Sequence, residues 1–232
     1  LEGWAYSFLA SVGMAGRLVP LPSQILEALL RQGALVLFEV APADAAGWYY
    51  VHGVFIDSTT PEEHLEELIA HELSHWWLTC MGVLPALQDH VLDQFMMCWR
   101  VPRYAVYELT SRNNGGFAGG VQALVDTFAE VAAPVDTLVR AAMVCRVAMQ
   151  IMNHRGQRIH VGSGFYEFSL ILTEEGQRRI AEQAMECEQT VQFYSSDFGR
   201  TDLVAVPFWC RGELWVVLMA IPPVEEAQVI GW

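Results

Sequence analysis

Basic side chains are scarce in this chain: 13 Lys and Arg stand against 27 Asp and Glu, for a formal net charge of −14. That balance argues against nonspecific binding to nucleic acid or to an anionic membrane, whose phosphates would repel it. A basic protein is the better-matched partner, although charge of this size also serves solubility. Long apolar runs are missing too. No stretch approaches the roughly 18 apolar residues that a spanning helix needs, so no transmembrane helix is expected. The segment from Leu1 lacks the basic region and long apolar block of a signal peptide, and a start at Leu1 is compatible with a trimmed N-terminus. Close cysteine pairs are absent. Cys80, Cys98, Cys145, Cys187 and Cys210 are odd in number and sit among apolar neighbours. They read as reduced core residues of a cytoplasmic protein, with zinc ligation by Cys80 or Cys98 as the lesser alternative. Charged residues make up only 17% and hydrophobic residues 53%, which argues against disorder. The 232 residues suffice for one large domain or two small ones.

Against that background one stretch stands out, LEELIAHELSHWWL, with His71-Glu72-Leu73-Ser74-His75 at its centre. Leu65, Leu68, Ile69, Leu73, Trp76 and Trp77 recur at three- and four-residue steps, so a helix is expected. Thr59 or Thr60 is the expected cap, Pro61 suits the first turn, and Glu62 and Glu63 face the positive end of the dipole. On such a helix His71 and His75 lie one turn apart on one face. Two imidazoles so placed can hold a zinc ion at roughly 2.0–2.1 Å each. Glu72 beside them is the candidate general base, taking a proton from water. The bland alternative is a pair of surface histidines on an acidic helix. Ile69-Ala70 and Trp76-Trp77-Leu78 count against it, because buried imidazoles and a carboxylate without partners are costly.

Upstream, two helices are expected at about 4–16 and 23–32. The first carries Trp4, Phe8, Leu9 and Val12. The second is capped by Ser23, with Ile25, Leu26, Leu29 and Leu30 inward, and is closed by Gly33. Residues 34–40 and 48–57 read as strands, with Gly53 at a turn or bulge. An edge strand beside the metal helix could hold an extended substrate, with Tyr49, Tyr50 and His52 as candidate lining residues and ordinary strand packing as the alternative.

Downstream, PALQDHVLDQFMMCWR reads as a helix over 85–100 with Leu87, Val91, Phe95 and Trp99 as its stripe. A catalytic zinc needs a third protein ligand, and this helix offers Asp89, His90 and Asp93. One of them would ligate and another would accept a histidine N–H; a solvated acidic face is the alternative.

Strand, HELSHWWL helix and the second helix ending Phe95-Met96-Met97-Cys98-Trp99-Arg100-Val101-Pro102 resemble the ImmA/IrrE family of metallopeptidases, over roughly residues 35–105 and more loosely to about 153. The family's third ligand is a glutamate, which this second helix lacks. Counting back from Phe95, the resemblance puts Asp89 at the ligand position and Asp93 in support. It implies a zincin-like peptidase domain and one catalytic Zn2+, with Mn2+ as a substitute. It also implies a protein substrate, a helix-turn-helix transcriptional repressor cut in a stress or mobile-element response. Tyr104, Tyr107 and His90 are the candidates for stabilising the oxyanion.

TSRNNGGFAGG, residues 110–120, is expected to be a flexible loop. Helices are expected at about 121–132 and 134–153, resembling a helix-turn-helix pair. Arg140, Arg146 and Arg155 are too few and too scattered for DNA contact, so no direct nucleic-acid binding is expected. Strands at 158–162, 165–172, 189–194, 203–209 and 213–221, a helix at about 174–188, and an Arg211-Gly212 hairpin make a small α+β tail. In size and pattern it is similar to the GAF-type sensor domain of the family's radiation-response branch. His154 and His160 read as surface or packing residues. The expected fold is therefore α+β, with a peptidase domain over 1–110, a helical segment over 111–155 and a sensor-like domain over 156–232. The rival reading is a non-catalytic protein that uses the metal fold for binding, or the tail for ligand sensing.

Overall fold

The computed structural model of the chain describes residues 1–38, 53–56, 60–113, 116–162, 173–194 and 202–221. The protein is α+β, with eight helices among the described residues and sheets of two and five strands. It divides into two units. The first is Leu1–Ala105 with Thr127–Ala133, and the second is Val106–Asp126 with Pro134–Trp232. No described helix is long and apolar enough to cross a membrane.

The first unit holds α1 (Glu2–Ser11), α2 (Pro22–Arg31), β1 (Val36–Phe38), β2 (Gly53–Phe55), α3 (Glu62–Cys80) and α4 (Pro85–Arg100). Its core is an aromatic nest around Phe8, which is fully buried. Phe8 meets Trp77 at 5.2 Å, Trp99 edge-on at 5.3 Å and Phe95 at 6.2 Å between ring centroids. Each such burial contributes about 1.5–3 kcal/mol, so α1 is a structural brace for α3 and α4. The caps differ from expectation. No side chain caps α3, whose N-cap is Pro61. Ser23 lies inside α2, where Leu21 is the N-cap and Pro22 the first residue. The Ser23 amide donates instead to the Glu66 carboxylate at 3.0 Å, so α3 supplies the anion that the start of α2 favours. β1 and β2 pair in parallel, Val36 opposite Gly53, and β2 packs against α3. Tyr49, Tyr50 and His52 lie outside the described residues.

The α4 stripe is corrected. Leu87 is exposed and Val91 half-buried, whereas Gln88, Leu92, Phe95, Met96 and Trp99 face inward. Steps of four overshoot a 3.6-residue turn by about 40° each. Counting 99, 95, 91, 87 therefore drifts off the face, while 99, 95, 92, 88 stays on it.

The expected loop at 110–120 is mostly helix. α5 (Arg103–Ser111) and α6 (Gly116–Phe128) fill it, and the division between the units falls within each. Gly120 is there for close approach rather than flexibility, since a Cβ at Gly120 would come within 3.3 Å of the Thr110 Cα. The expected long helix over 134–153 is also corrected. α7 (Pro134–Cys145) ends at Arg146, which turns with φ +56°, and β3 (Ala148–Met152) follows.

In the second unit β4 (Arg158–Gly162), β5 (Val191–Tyr194), β6 (Asp202–Cys210) and β7 (Glu213–Ile221) complete an antiparallel sheet in the order β4-β3-β7-β6-β5. α8 (Glu174–Cys187) covers one face through Ile180, Ala181 and Ala184, which meet Ala148, Leu203, Ala205, Val216, Leu218 and Ala220. The sheet thus begins upstream of residue 156. The expected strand at 165–172 falls outside the described residues. None of the five cysteines, all among the described residues, is in a disulfide. Cys98 and Cys210 are buried and Cys145 half-buried, but Cys80 and Cys187 are exposed, each at the last residue of its helix.

Candidate metal centre on the third helix

α3 runs unbroken through the motif and buries Ile69, Ala70, Leu73, Ser74, His75, Trp76 and Leu78. Its register against α4 is pinned in the core. The Trp99 indole donates to the Ser74 hydroxyl at 3.0 Å, and that hydroxyl donates to the Ala70 carbonyl at 2.8 Å. Ser74 is therefore an internal tie, and the neighbouring His75 is set facing the start of α4.

His71 and His75 come together as the spacing requires. Their ring centroids lie 4.7 Å apart and the rings are near-perpendicular, at 74°. Two imidazoles that share one ion at roughly 2.0–2.1 Å per nitrogen stand with centroids roughly 5 Å apart, so this spacing suits a single shared ion. His71 is half-buried and His75 is 4% exposed.

The His75 Nδ1 lies 2.8 Å from the Gln88 Oε1. Gln88 is fully buried, and its Nε2 donates to the Val83 carbonyl and to the Thr79 hydroxyl, both at 3.0 Å. The Thr79 hydroxyl in turn donates to the His75 carbonyl at 2.9 Å. Sequence reasoning passed over Gln88, although counting the inward face back from Trp99 and Phe95 arrives at it.

Burial tunes the charge at His71 and Glu72. Burial pulls the His71 pKa below its ordinary value, aided by the nearby His75; Asp93, Asp89 and Glu67 oppose it, in that order. Burial likewise pushes the Glu72 carboxyl above the usual carboxylate range, with His75 acting against it. A half-buried carboxyl raised in this way is suited to accepting and returning a proton. The neutral imidazole that burial favours at His71 is the ligating form.

Asp89, His90 and Asp93 are all exposed on α4. Asp93 and Asp89 lie close enough to act on the His71 charge, Asp93 more strongly. Among the described residues no group of three His, Cys, Asp or Glu side chains gathers as a metal site. The two imidazoles thus meet on one helix face, and among the described residues no third such side chain joins them as a group. Of the other candidates, the Tyr104 hydroxyl donates to the Arg17 carbonyl at 2.6 Å, and the Tyr107 hydroxyl to the Val144 carbonyl at 3.3 Å within the second unit. Beside His71, a shallow cavity of about 340 Å³ is lined by Thr60, His64, Glu67, Leu68 and His71. His154 is exposed and pairs with Glu213 at 3.0 Å, and His160 is half-buried on β4.

No family model matches the chain, and no curated protein matches it.

Proposed function

We propose that the protein is a cytoplasmic zinc-dependent endopeptidase, resembling the ImmA/IrrE metallopeptidases, that cuts a protein substrate of the transcriptional-repressor class. Its first unit would be a zincin-like peptidase domain, and the sheet of its second unit a GAF-like sensor domain. The observation that carries this reading is the near-perpendicular His71–His75 pair at 4.7 Å beside a carboxyl, Glu72, whose pKa burial raises. His71 and His75 would hold Zn2+, or Mn2+ in its place, with Asp89 or Asp93 as the third ligand. The ion, when bound, supplies a Lewis acid that polarises a scissile carbonyl. Glu72 takes the proton from the attacking water and returns it to the leaving amine. His75, backed by Gln88, keeps one ring orientation throughout. The cavity beside His71 offers Glu67 to a basic side chain of the substrate, in keeping with the net charge of −14.

The test is cleavage of a proteome-derived peptide library by the full chain with Zn2+ or Mn2+. Glu72→Gln is expected to keep the metal and lose cleavage. Cleavage by that variant at the wild-type rate would end the mechanism.

A second reading has one observation in its favour, the absence of a gathered third ligand among the described residues. In it the metal fold serves binding or sensing without hydrolysis. Stoichiometric zinc with no cleavage of any library peptide would select it.

A further inference from the structure

Gln88 lies one residue before the acidic cluster of α4, and its side-chain amide can sit only one way. The Val83 carbonyl has no hydrogen to give, so the group facing it at 3.0 Å must be the Gln88 NH2. The second amide hydrogen goes to the Thr79 hydroxyl, whose own hydrogen is spent on the His75 carbonyl. A flipped amide would set Oε1 against the Val83 carbonyl, acceptor against acceptor, in a site with no exposure to water. Such an unsatisfied buried pair is strongly disfavoured. Oε1 must therefore face His75, and at 2.8 Å it can only accept, so the hydrogen of that ring stands on Nδ1.

We infer that Gln88 is the positioning residue of the candidate centre: it holds His75 in the Nδ1–H tautomer, so that Nε2 carries the lone pair offered to a metal. This deepens the peptidase reading and rests on it for its purpose, but the tautomer itself is a property of the metal-free protein. The arrangement explains why a glutamine occupies the inward face of α4. An aliphatic side chain there would fill the same space and spare the burial of an amide. It also separates two tasks on neighbouring residues, Gln88 orienting a histidine from inside and the exposed Asp89 left as a candidate ligand. Fixing the tautomer and ring angle of a ligating histidine in this way typically changes metal affinity about 10- to 100-fold.

The experiment is a long-range 1H–15N correlation spectrum of the full chain, 15N-labelled and stripped of metal, with His75 assigned by its loss in His75→Gln. The wild-type ring is expected to show Nδ1 protonated and Nε2 unprotonated. In Gln88→Met, which keeps length and removes the acceptor, the ring is expected to move towards the Nε2–H form. Zinc affinity, read by chelator competition, should fall about 10- to 100-fold in that variant. A wild-type His75 protonated on Nε2 overturns the inference, and so does an unchanged tautomer in Gln88→Met. The wild-type spectrum decides the matter even if a variant does not fold. Zinc that fails to bind to a wild-type ring of the expected tautomer would count against the peptidase reading and leave the role of Gln88 in fixing the ring intact.

Discussion

Replacing Ser74 by Ala and Trp99 by Phe, singly and together, tests the register in which α3 meets α4. Trp99 is fully buried, its indole N–H donates to the Ser74 hydroxyl at 3.0 Å, and its ring meets Phe8 edge-on. Ser74→Ala leaves that N–H without an acceptor in a site that water does not reach, at a cost of about 1–3 kcal/mol. Trp99→Phe removes the donor and opens space in the nest, for about 2 kcal/mol, below the roughly 3–5 kcal/mol of truncation to Ala. The double variant should lose about 1 kcal/mol less than the sum, because the second change no longer breaks a bond. Urea midpoints give the energies. Hydrogen exchange on peptides from α3 identifies the transition that matters, since the two units need not unfold together. A coupling below about 0.3 kcal/mol would mean that the two side chains do not meet. The register would then be wrong, and Gln88, three turns before Trp99 on the same face, would not reach His75.

Two further outcomes follow from the same physics. In metal-free protein, the native state holds the Glu72 proton more tightly than the unfolded chain does, because burial raises that carboxyl. Stability attributable to Glu72 is thus present below the ordinary carboxylate pKa, near 4.3, and is lost as pH rises through the raised native value. Glu72→Gln should accordingly raise Tm at about pH 7 and leave it nearly unchanged at about pH 4; the opposite pattern in a thermal melt would show a carboxyl stabilised as its anion. Gly212→Ala should destabilise the β6–β7 hairpin by about 1 kcal/mol, because Gly212 sits at φ +81° after Arg211 at φ +51°, where a Cβ is strained. A melt of the variant at or above the wild-type Tm would contradict that turn.

Features written in local chemistry were legible in the sequence. Arg211-Gly212 between two alternating apolar runs marked a hairpin, and the strands end at Cys210 and resume at Glu213. The run from Glu62 to Cys80 carried its own period and no breaker, so the helix bearing His71, Glu72 and His75 was readable, and the pair came together on it. Features decided by tertiary contact were not. Nothing in VCRVAMQIM announces the end of a helix: Arg146 adopts a left-handed turn with no Gly, Asn or Pro to signal it, and the apolar run after it suits helix or strand equally. Gly120 reads as a loop residue until Thr110 is seen against it. Gln88 escaped notice because metal chemistry directs attention to acids and histidines, while the side chain behind a ligand need only accept a hydrogen bond. The choice among Asp89, His90 and Asp93 depends on side-chain reach from an exposed helix face, which no periodicity encodes.

The central claim is that His71 and His75 together grip one divalent ion. Zinc titration of the metal-free full chain, followed by X-ray absorption at the zinc edge, tests it most directly. The account predicts one zinc per chain, held by two imidazole nitrogens and light oxygen donors, and lost in His75→Ala. Sulfur ligands, or zinc bound equally well by His75→Ala, would contradict it.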